Sequence, residues 1–349
     1  MKEIMEILSK NGYESYIVGG YVRDYLLGVP SYDVDICTNA PIEKIEELFD
    51  GQGKSYRQFF AYHLSKGEYE FDITTYRIEL RYKKNKPIEL QIAPNLYKDL
   101  LRRDFTINTF AMDIDGNFID LLGSKKDLDN KIIRCVGDTD KRFNEDKTRI
   151  IRALRFSCTL DFDLSKEIVD FIEKKSYLLN EVPKEYKRKE LDKIFDSIGL
   201  DKFLYIIKSL NIEKYFNISF DKIVHAYNKY GIYSQMEFDL PFSNNELKII
   251  NTIRSLVDKK DISYEDFNSY EDDIIMNAAC ILNQMGRIKT FKDIKKYHSV
   301  MDIDIDIDVL FKYVHIDDIV DTYKLIEKGI VEGYIKNDRE DIEDFLKDL

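Results

Sequence analysis

Ser31-Tyr32-Asp33-Val34-Asp35-Ile36-Cys37, preceded by Gly19-Gly20-Tyr21-Val22-Arg23-Asp24, decides how this chain is read. As a strand over 32–37, strict alternation places Asp33 and Asp35 on one face and Val34 and Ile36 on the other. Two like charges side by side are unfavourable in a sheet unless cations neutralise them. Hard carboxylate oxygens suit magnesium, which keeps phosphate oxygens as further ligands. The pair therefore predicts a metal-phosphate site. Upstream, 16–18 reads as a short buried strand, Gly19-Gly20 as a tight turn, and 22–27 as a helix stopped by Gly28 with Pro30 just beyond. Strand, glycine turn and helix start form an anion cradle of unobstructed N–H groups, with Arg23 in the first turn.

At 349 residues the chain is long enough for two or more domains with their own cores. No apolar run approaches a membrane span and the first residues lack a signal-peptide pattern, so a soluble, cytoplasmic protein is expected. Cys37, Cys135, Cys158 and Cys280 fit neither a zinc spacing nor a disulfide framework. The net charge of −12 argues against indiscriminate nucleic-acid binding, but it is unevenly spread. Residues 77–103 hold eight Lys or Arg against three Asp or Glu, and residues 301–349 hold fifteen acidic against six basic. That polarity suits a protein that grips a polyanion at one place only.

Short apolar strands at 16–18, 34–37, 69–76, 110–113 and 132–136 alternate with helices such as 41–49, giving an α+β head. Beyond residue 140, amphipathic helical patterns dominate, as in 184–195 and 247–257. The expected division is a head over 1–139, a helical neck over 140–197, a helical body over 198–270 and a helical acidic tail over 271–349. Asp302 to Asp308, with Asp and Ile alternating, reads as a solvated element with an apolar face. Asp113 and Asp115 before Gly116 read as a hairpin turn.

Leu101-Arg102-Arg103-Asp104-Phe105-Thr106-Ile107-Asn108 supplies donors and acceptors suited to phosphate and ribose. From Arg142 to Phe156 the spacing predicts a helix with Arg149, Arg152 and Arg155 on one side and Ile150, Ile151 and Leu154 on the other. Asp146 and Arg149 on that helix offer one acceptor and one donor fork. Such a pair matches the amino and ring-nitrogen edge shared by cytosine and adenine.

In these motifs and their order the chain resembles the class II tRNA nucleotidyltransferases, or CCA-adding enzymes, and the similar bacterial poly(A) polymerases, within the DNA polymerase β superfamily. The resemblance covers residues 10 to 200. It rests on Gly19 to Asp24, the pair Asp33 and Asp35, Arg102 to Asn108, and Glu145 to Arg149. It implies a polymerase β-like palm in the head, followed by an all-α neck, body and tail. It also implies metal-dependent addition of CCA to the tRNA acceptor end from CTP and ATP, with pyrophosphate released. Asp33 and Asp35 would hold two Mg2+ ions, and Asp72 stands where the family often has a third acidic residue. Gly19, Gly20, Arg23, Arg102, Arg103, Asp104 and Asn108 would bind nucleotide phosphates and sugar. Asp146 and Arg149 would read the base, supported by Arg152 and Arg155.

The chain departs from the family pattern at Glu185-Tyr186, around Gly53 to His63, and at Thr109, none of which removes a proposed metal or base contact. Residues 78–101 retain the length of the family's flexible loop, which favours CCA over CC addition. No basic insertion of the poly(A) polymerase kind is present. Poly(A) or A-only addition is the alternative within enzymes, and a non-catalytic RNA- or nucleotide-binding protein the alternative outside them. No Gly-x-Gly-x-x-Gly follows the first strand, which disfavours a dinucleotide fold.

Overall fold

The computed structural model describes residues 1–295, 303–315 and 318–348. The chain divides into two compact units, residues 1–218 with 239–241, and residues 219–238 with 242–349. The architecture is α+β: an N-terminal mixed sheet followed by a largely helical remainder.

In the first unit, α1 (Lys2–Lys10) leads into β1 (Ser15–Val18), and Gly19 at φ +76° turns the chain into α2 (Gly20–Leu27). Gly28 in the left-handed region ends that helix, as its place before Val29-Pro30 predicts. Next come β2 (Asp33–Thr38), α3 (Ile42–Leu48), β3 (Gly53–Tyr56), β4 (Ala61–Lys66) and β5 (Tyr69–Thr75). The chain continues through the hairpin β6 (Arg77–Lys83) and β7 (Lys86–Ile92), α4 (Leu96–Leu100), β8 (Ala111–Met112) and β9 (Phe118–Ile119). The seven-stranded sheet runs β3-β4-β5-β2-β1-β8-β9, with β2 and β5 parallel and the other neighbours antiparallel.

Alternation along β2 holds where it matters: Val34 and Ile36 are buried while Asp33 and Asp35 are exposed. Cys37, on the carboxylate face, is buried in a cluster with Leu96 and Leu100 of α4, Tyr76 and Val18. The far end of that face is thus roofed over, and the two aspartates stand at its open end. Asp113 closes the β8–β9 turn, its Oδ1 accepting from the N–H groups of Asp115 and Asn117 at 2.9 and 2.8 Å.

The segment matched to a flexible loop is a β-hairpin followed by α4. Lys84 and Asn85, at φ 49° and 62°, form its two-residue turn. The tip is tied down: Asn85 Oδ1 accepts from Lys147 N at 3.1 Å, and Asn85 Nδ2 donates to Glu181 O at 3.2 Å.

The rest of this unit is helical: α5 (Lys125–Asp129), α6 (Thr139–Glu145), α7 (Thr148–Leu160), α8 (Lys166–Lys175), α9 (Lys184–Phe195) and α10 (Leu200–Ser209). The strand expected over 132–136 shrinks to β10 (Ile132–Ile133), paired with β11 (Asp163–Leu164). The single helix expected from Arg142 to Phe156 is two helices, broken at Asp146 (φ −143°, ψ 102°). Asp146 Oδ1 takes Thr148 N at 2.9 Å and Thr148 Oγ1 at 2.6 Å, satisfying groups at the start of α7. The apolar side of α7 is buried as its periodicity requires, with Ile150, Ile151 and Leu154 fully enclosed.

The second unit packs α11 (Lys229–Tyr233), α12 (Asn244–Asp258), α13 (Tyr264–Ser269), α14 (Asp272–Leu282) and α15 (Met285–Lys295) around Ile253, Leu256, Phe267, Ile275 and Ala278. Capping boxes at Ser243 with Glu246 and Ser263 with Asp266 start α12 and α13. A smaller core of Ile305, Val309, Leu310, Ile326, Ile342 and Leu346 unites α16 (Ile307–Leu310), α17 (Ile319–Glu332) and α18 (Arg339–Lys347). In the Asp/Ile repeat, Ile305 is buried while Asp304 and Asp306 are exposed, the solvated element with an apolar face that was expected. Asp302 lies outside the described residues. Among the described residues no helix is long and apolar enough to cross a membrane.

Candidate active site

The sheet register brings the acidic residues together. Asp35 pairs with Val18 of β1 on one side and with Asp72 of β5 on the other, so two carboxylates occupy equivalent places on adjacent parallel strands. Asp33 is one turn of the pleat away on the same face. Although Asp35 is open to solvent by surface area, crowding by surrounding protein atoms desolvates its carboxyl and pushes it above its ordinary value; Arg103 opposes that, and Asp72 and Asp33 add to it. Asp72 Oδ1 stands 2.9 Å from His63 Nδ1, whose Nε2 lies 3.1 Å from Glu70.

Gly19 explains how Asp35 and Arg103 meet. A Cβ at this position would stand 2.7 Å from Arg103 Nη1 and 2.8 Å from Asp35 Oδ2, and its positive φ independently disfavours any side chain. The same test at Gly20 finds only Arg23 Nη2, at an ordinary 3.7 Å. Gly19 is therefore the member of the pair that resists a side chain, first by its positive φ and then by side-chain ends that would have to move.

A cavity of about 750 Å³ opens over this face, lined among others by Asp35, Asp72, Arg102, Arg103, Asp104, Asp146, Arg149 and Arg152. Gly19, Gly20, Arg23, Asp33, Asn108 and Arg155 do not line it. Asp33 lies on the exposed run of β2, and Arg23, through Asn108, is bonded to the lining residue Asp104 from outside the cavity. Arg23 Nη1 donates to Asn108 Oδ1 at 2.7 Å, and Asn108 Nδ2 donates to Asp104 Oδ1 at 3.0 Å. Asp104 Oδ2 in turn accepts from Arg152 Nε at 2.9 Å. This chain of bonds joins α2, the Arg-Arg-Asp-Phe-Thr stretch and α7. Burial alone would raise the Asp104 carboxyl, but Arg152, Asn108 and the Phe105 N–H outweigh it and hold it far below the usual carboxylate range.

On the far wall, Arg149 is 5% exposed. Its Nη1 donates to Arg142 O at 3.0 Å and its Nη2 to Tyr82 OH at 2.8 Å, with the guanidinium 5.3 Å from the Tyr82 ring centroid. Asp146 Oδ2 stands 3.9 Å from Arg149 Nε, so the two are neighbours across the helix break rather than along one helix. Arg155 is paired with Glu190 of α9 at 2.9 Å.

Several site residues carry no motif of their own in the reading of the sequence. Asp99 is fully buried and holds both adjacent arginines, Arg102 Nε at 2.9 Å and Arg103 Nη2 at 3.8 Å. Glu79 sits 3.4 Å from Arg102 and 3.8 Å from Arg149. Tyr82, Arg77 and His63 complete the lining. The spacing of Asp99, near the end of α4, to Arg102 and Arg103 just beyond it was the available signal; the contacts of Glu79 with Arg102 and of Tyr82 with Arg149 join residues distant in sequence.

The donor set at the open end of β2 is all carboxylate oxygen, with no sulfur and no closed cage. Among the described residues no three His, Cys, Asp or Glu side chains form a complete metal-holding group. Such a set fits an ion that draws its other ligands from phosphate and water, as magnesium does.

Known proteins resemble this chain in both sequence and fold. Residues 15–134 match the Poly A polymerase head domain family. The CCA-adding enzyme of Bacillus pumilus is 35% identical over 235 residues, 66% of this chain and 58% of that protein's length. The CCA-adding enzyme of Lactobacillus helveticus is 31% identical over 303 residues, 86% of this chain and 73% of that protein. In fold, the Bacillus stearothermophilus CCA-adding enzyme crystallised in complex with CTP superposes with a TM-score of 0.72 at 20% identity, covering 99% of this chain and 96% of that one. Polymerase β-like nucleotidyltransferases of this kind typically use divalent metal ions. With a mixed-sheet head carrying paired aspartates, and identity of this extent to curated relatives, the chain belongs to the CCA-adding enzyme family of class II nucleotidyltransferases.

Proposed function

We propose that this protein adds CCA to the 3′ end of tRNA, joining CMP and AMP units from CTP and ATP and releasing pyrophosphate. The observation that carries the reading is one cavity lined both by the Asp35–Asp72 register pair with Arg103 and by Asp146 and Arg149. Carboxylates for metal, arginines for phosphate and a donor–acceptor pair for a base edge thus face a single space.

Asp33 and Asp35, assisted by Asp72, are the residues that would hold two Mg2+ ions. When bound, such ions activate a hydroxyl and stabilise the oxygens of a departing pyrophosphate. Arg103, released from a side-chain clash by Gly19, faces the position of the triphosphate. Gly20 and Arg23 place the N-terminus of α2 toward it. Arg102 is held by Asp99 and Glu79, and acts from behind Arg103. Asp104 and Asn108 join Arg23 to Arg152 and fix the wall that meets sugar and phosphate. Asp146 and Arg149 select cytosine and adenine, with Tyr82 and the Arg142 carbonyl locking the Arg149 fork. Arg155 supports this wall through Glu190. Residues 140–197 act as the neck that carries the base-reading pair, and the helical segments 198–270 and 271–349 as body and acidic tail. The basic stretch 77–103 meets the acceptor end by charge and backbone shape.

The test supplies tRNA transcripts lacking CCA, ending after the first C, or ending after the second, with CTP, ATP or both, and sizes the products. Completion of CCA on the first substrate is expected. A long adenosine tail on any RNA would replace this reading with poly(A) polymerase, and no incorporation at all would refute it.

A further inference from the structure

Arg23, Arg152 and Arg155 gather around the ring of Phe156. Their guanidinium carbons lie 5.0, 5.5 and 3.4 Å from its centroid. Phe105, from the Arg-Arg-Asp-Phe stretch, meets the same ring edge-on with centroids 5.7 Å apart. Phe156 is 4% exposed, so little water stands between these groups.

Three cations in so small a space repel. Each has one anion of its own: Asp24 stands 2.7 Å from Arg23, Asp104 accepts from Arg152 at 2.9 Å, and Glu190 accepts from Arg155 at 2.9 Å. Those anions sit on three different segments: Asp24 on α2, Asp104 in the loop after α4, and Glu190 on α9. The ring is what the three guanidinium groups have in common. An aromatic face carries negative potential and attracts cations, more strongly when water is excluded. A leucine would fill much of the same space without offering that face. The ring also joins parts of the chain far apart in sequence, since Arg23 comes from α2 and Phe105 precedes the sheet's β8.

We propose that Phe156 is a positioning residue for triphosphate binding, its π face gathering Arg23 and Arg155 behind Arg152, the one of the three that lines the cavity, so that Arg152 is held toward the nucleotide. The proposal rests on the reading of the cavity as a nucleotide site. It assigns Phe156 to features common to CTP and ATP, in contrast to Arg149, which tells bases apart.

The experiment replaces Phe156 in the full chain with phenylalanines bearing one, two and three ring fluorines, which weaken the π face stepwise while nearly preserving shape. CTP and ATP binding is then measured calorimetrically with Mg2+ present, and far-UV circular dichroism checks the fold. The dissociation constants for both nucleotides are expected to climb with each fluorine, by roughly threefold to thirtyfold across the series, with their ratio unchanged. Phe156→Leu is expected to fall at the weak end. A flat fluorine series in a protein that binds nucleotide normally when unmodified would overturn the proposal alone, even if Phe156→Leu weakens binding, because packing would then be the ring's whole role. Failure of the unmodified protein to bind either nucleotide would overturn the reading of the site, and this proposal with it.

Discussion

The carboxylates of the first unit fall into two groups that sit within one site and live under opposite conditions. Asp104, Asp99 and Glu190 lie inside the protein and are matched to arginines at 2.9 Å. Asp33 and Asp35 stand at the open end of β2, where β5 adds Asp72 rather than a cation. A buried charge that lost its partner would cost several kcal/mol, so the first group must be saturated for the fold to exist. The second group is acidic side by side, with Arg103 beside Asp35 opposing the mutual repulsion only in part. Framework and function are thus separable in residues of identical chemistry.

The sharpest way to break that contrast is to remove the open pair. Asp33→Ala with Asp35→Ala should lower nucleotide incorporation by about a thousandfold or more, with thermal stability unchanged or raised and RNA affinity retained. A melting temperature that fell sharply would put this pair in the framework group. Conversely, Glu190→Ala leaves Arg155 without its anion and should destabilise the protein by roughly 3 kcal/mol in urea unfolding. A variant as stable as the parent would show that Glu190 is not part of the framework.

Acid should destabilise the fold through the saturated group. The folded protein holds Asp104 and Glu190 below their ordinary values of 3.8 and 4.5, because their arginine partners outweigh burial. Unfolding therefore takes up protons. Their contribution is fully present above the ordinary carboxylate range and is lost as pH falls through the lower folded values. Urea midpoints measured from pH 6 down to pH 3 should decline most steeply below about pH 4.5, and Glu190→Gln should flatten the decline. The smallest effect separates the two glycines. Gly19→Ala should cost more than about 1 kcal/mol and impair incorporation, whereas Gly20→Ala should leave stability within about 1 kcal/mol. Equal costs at both positions would show that neither the positive φ at Gly19 nor the approach of Asp35 and Arg103 excludes a side chain there.

Much of this was readable residue by residue. Alternation exposed Asp33 and Asp35 because strand period is a property of consecutive residues. Gly28 stopped α2 because a left-handed cap is a local event. The 142–156 periodicity was real but did not reveal its interruption, since Asp146 leaves the helical conformation while Arg149 remains within 3.9 Å of it. Arg155 offered a cation on the expected face, yet it is paired with a glutamate thirty-five positions later and does not line the cavity.

By itself the sequence determined the two periodicities, the glycine turn, the carboxylate pair and the arginine-bearing motifs, since each depends on neighbours a few bonds apart. Only the tertiary structure decided that Asp72 comes into register with Asp35, that Glu79 and Tyr82 brace Arg149, and that Arg23 of α2 reaches the ring of Phe156 on α7. Those contacts join segments tens of residues apart, and sheet pairing and helix packing, rather than local spacing, set their distances.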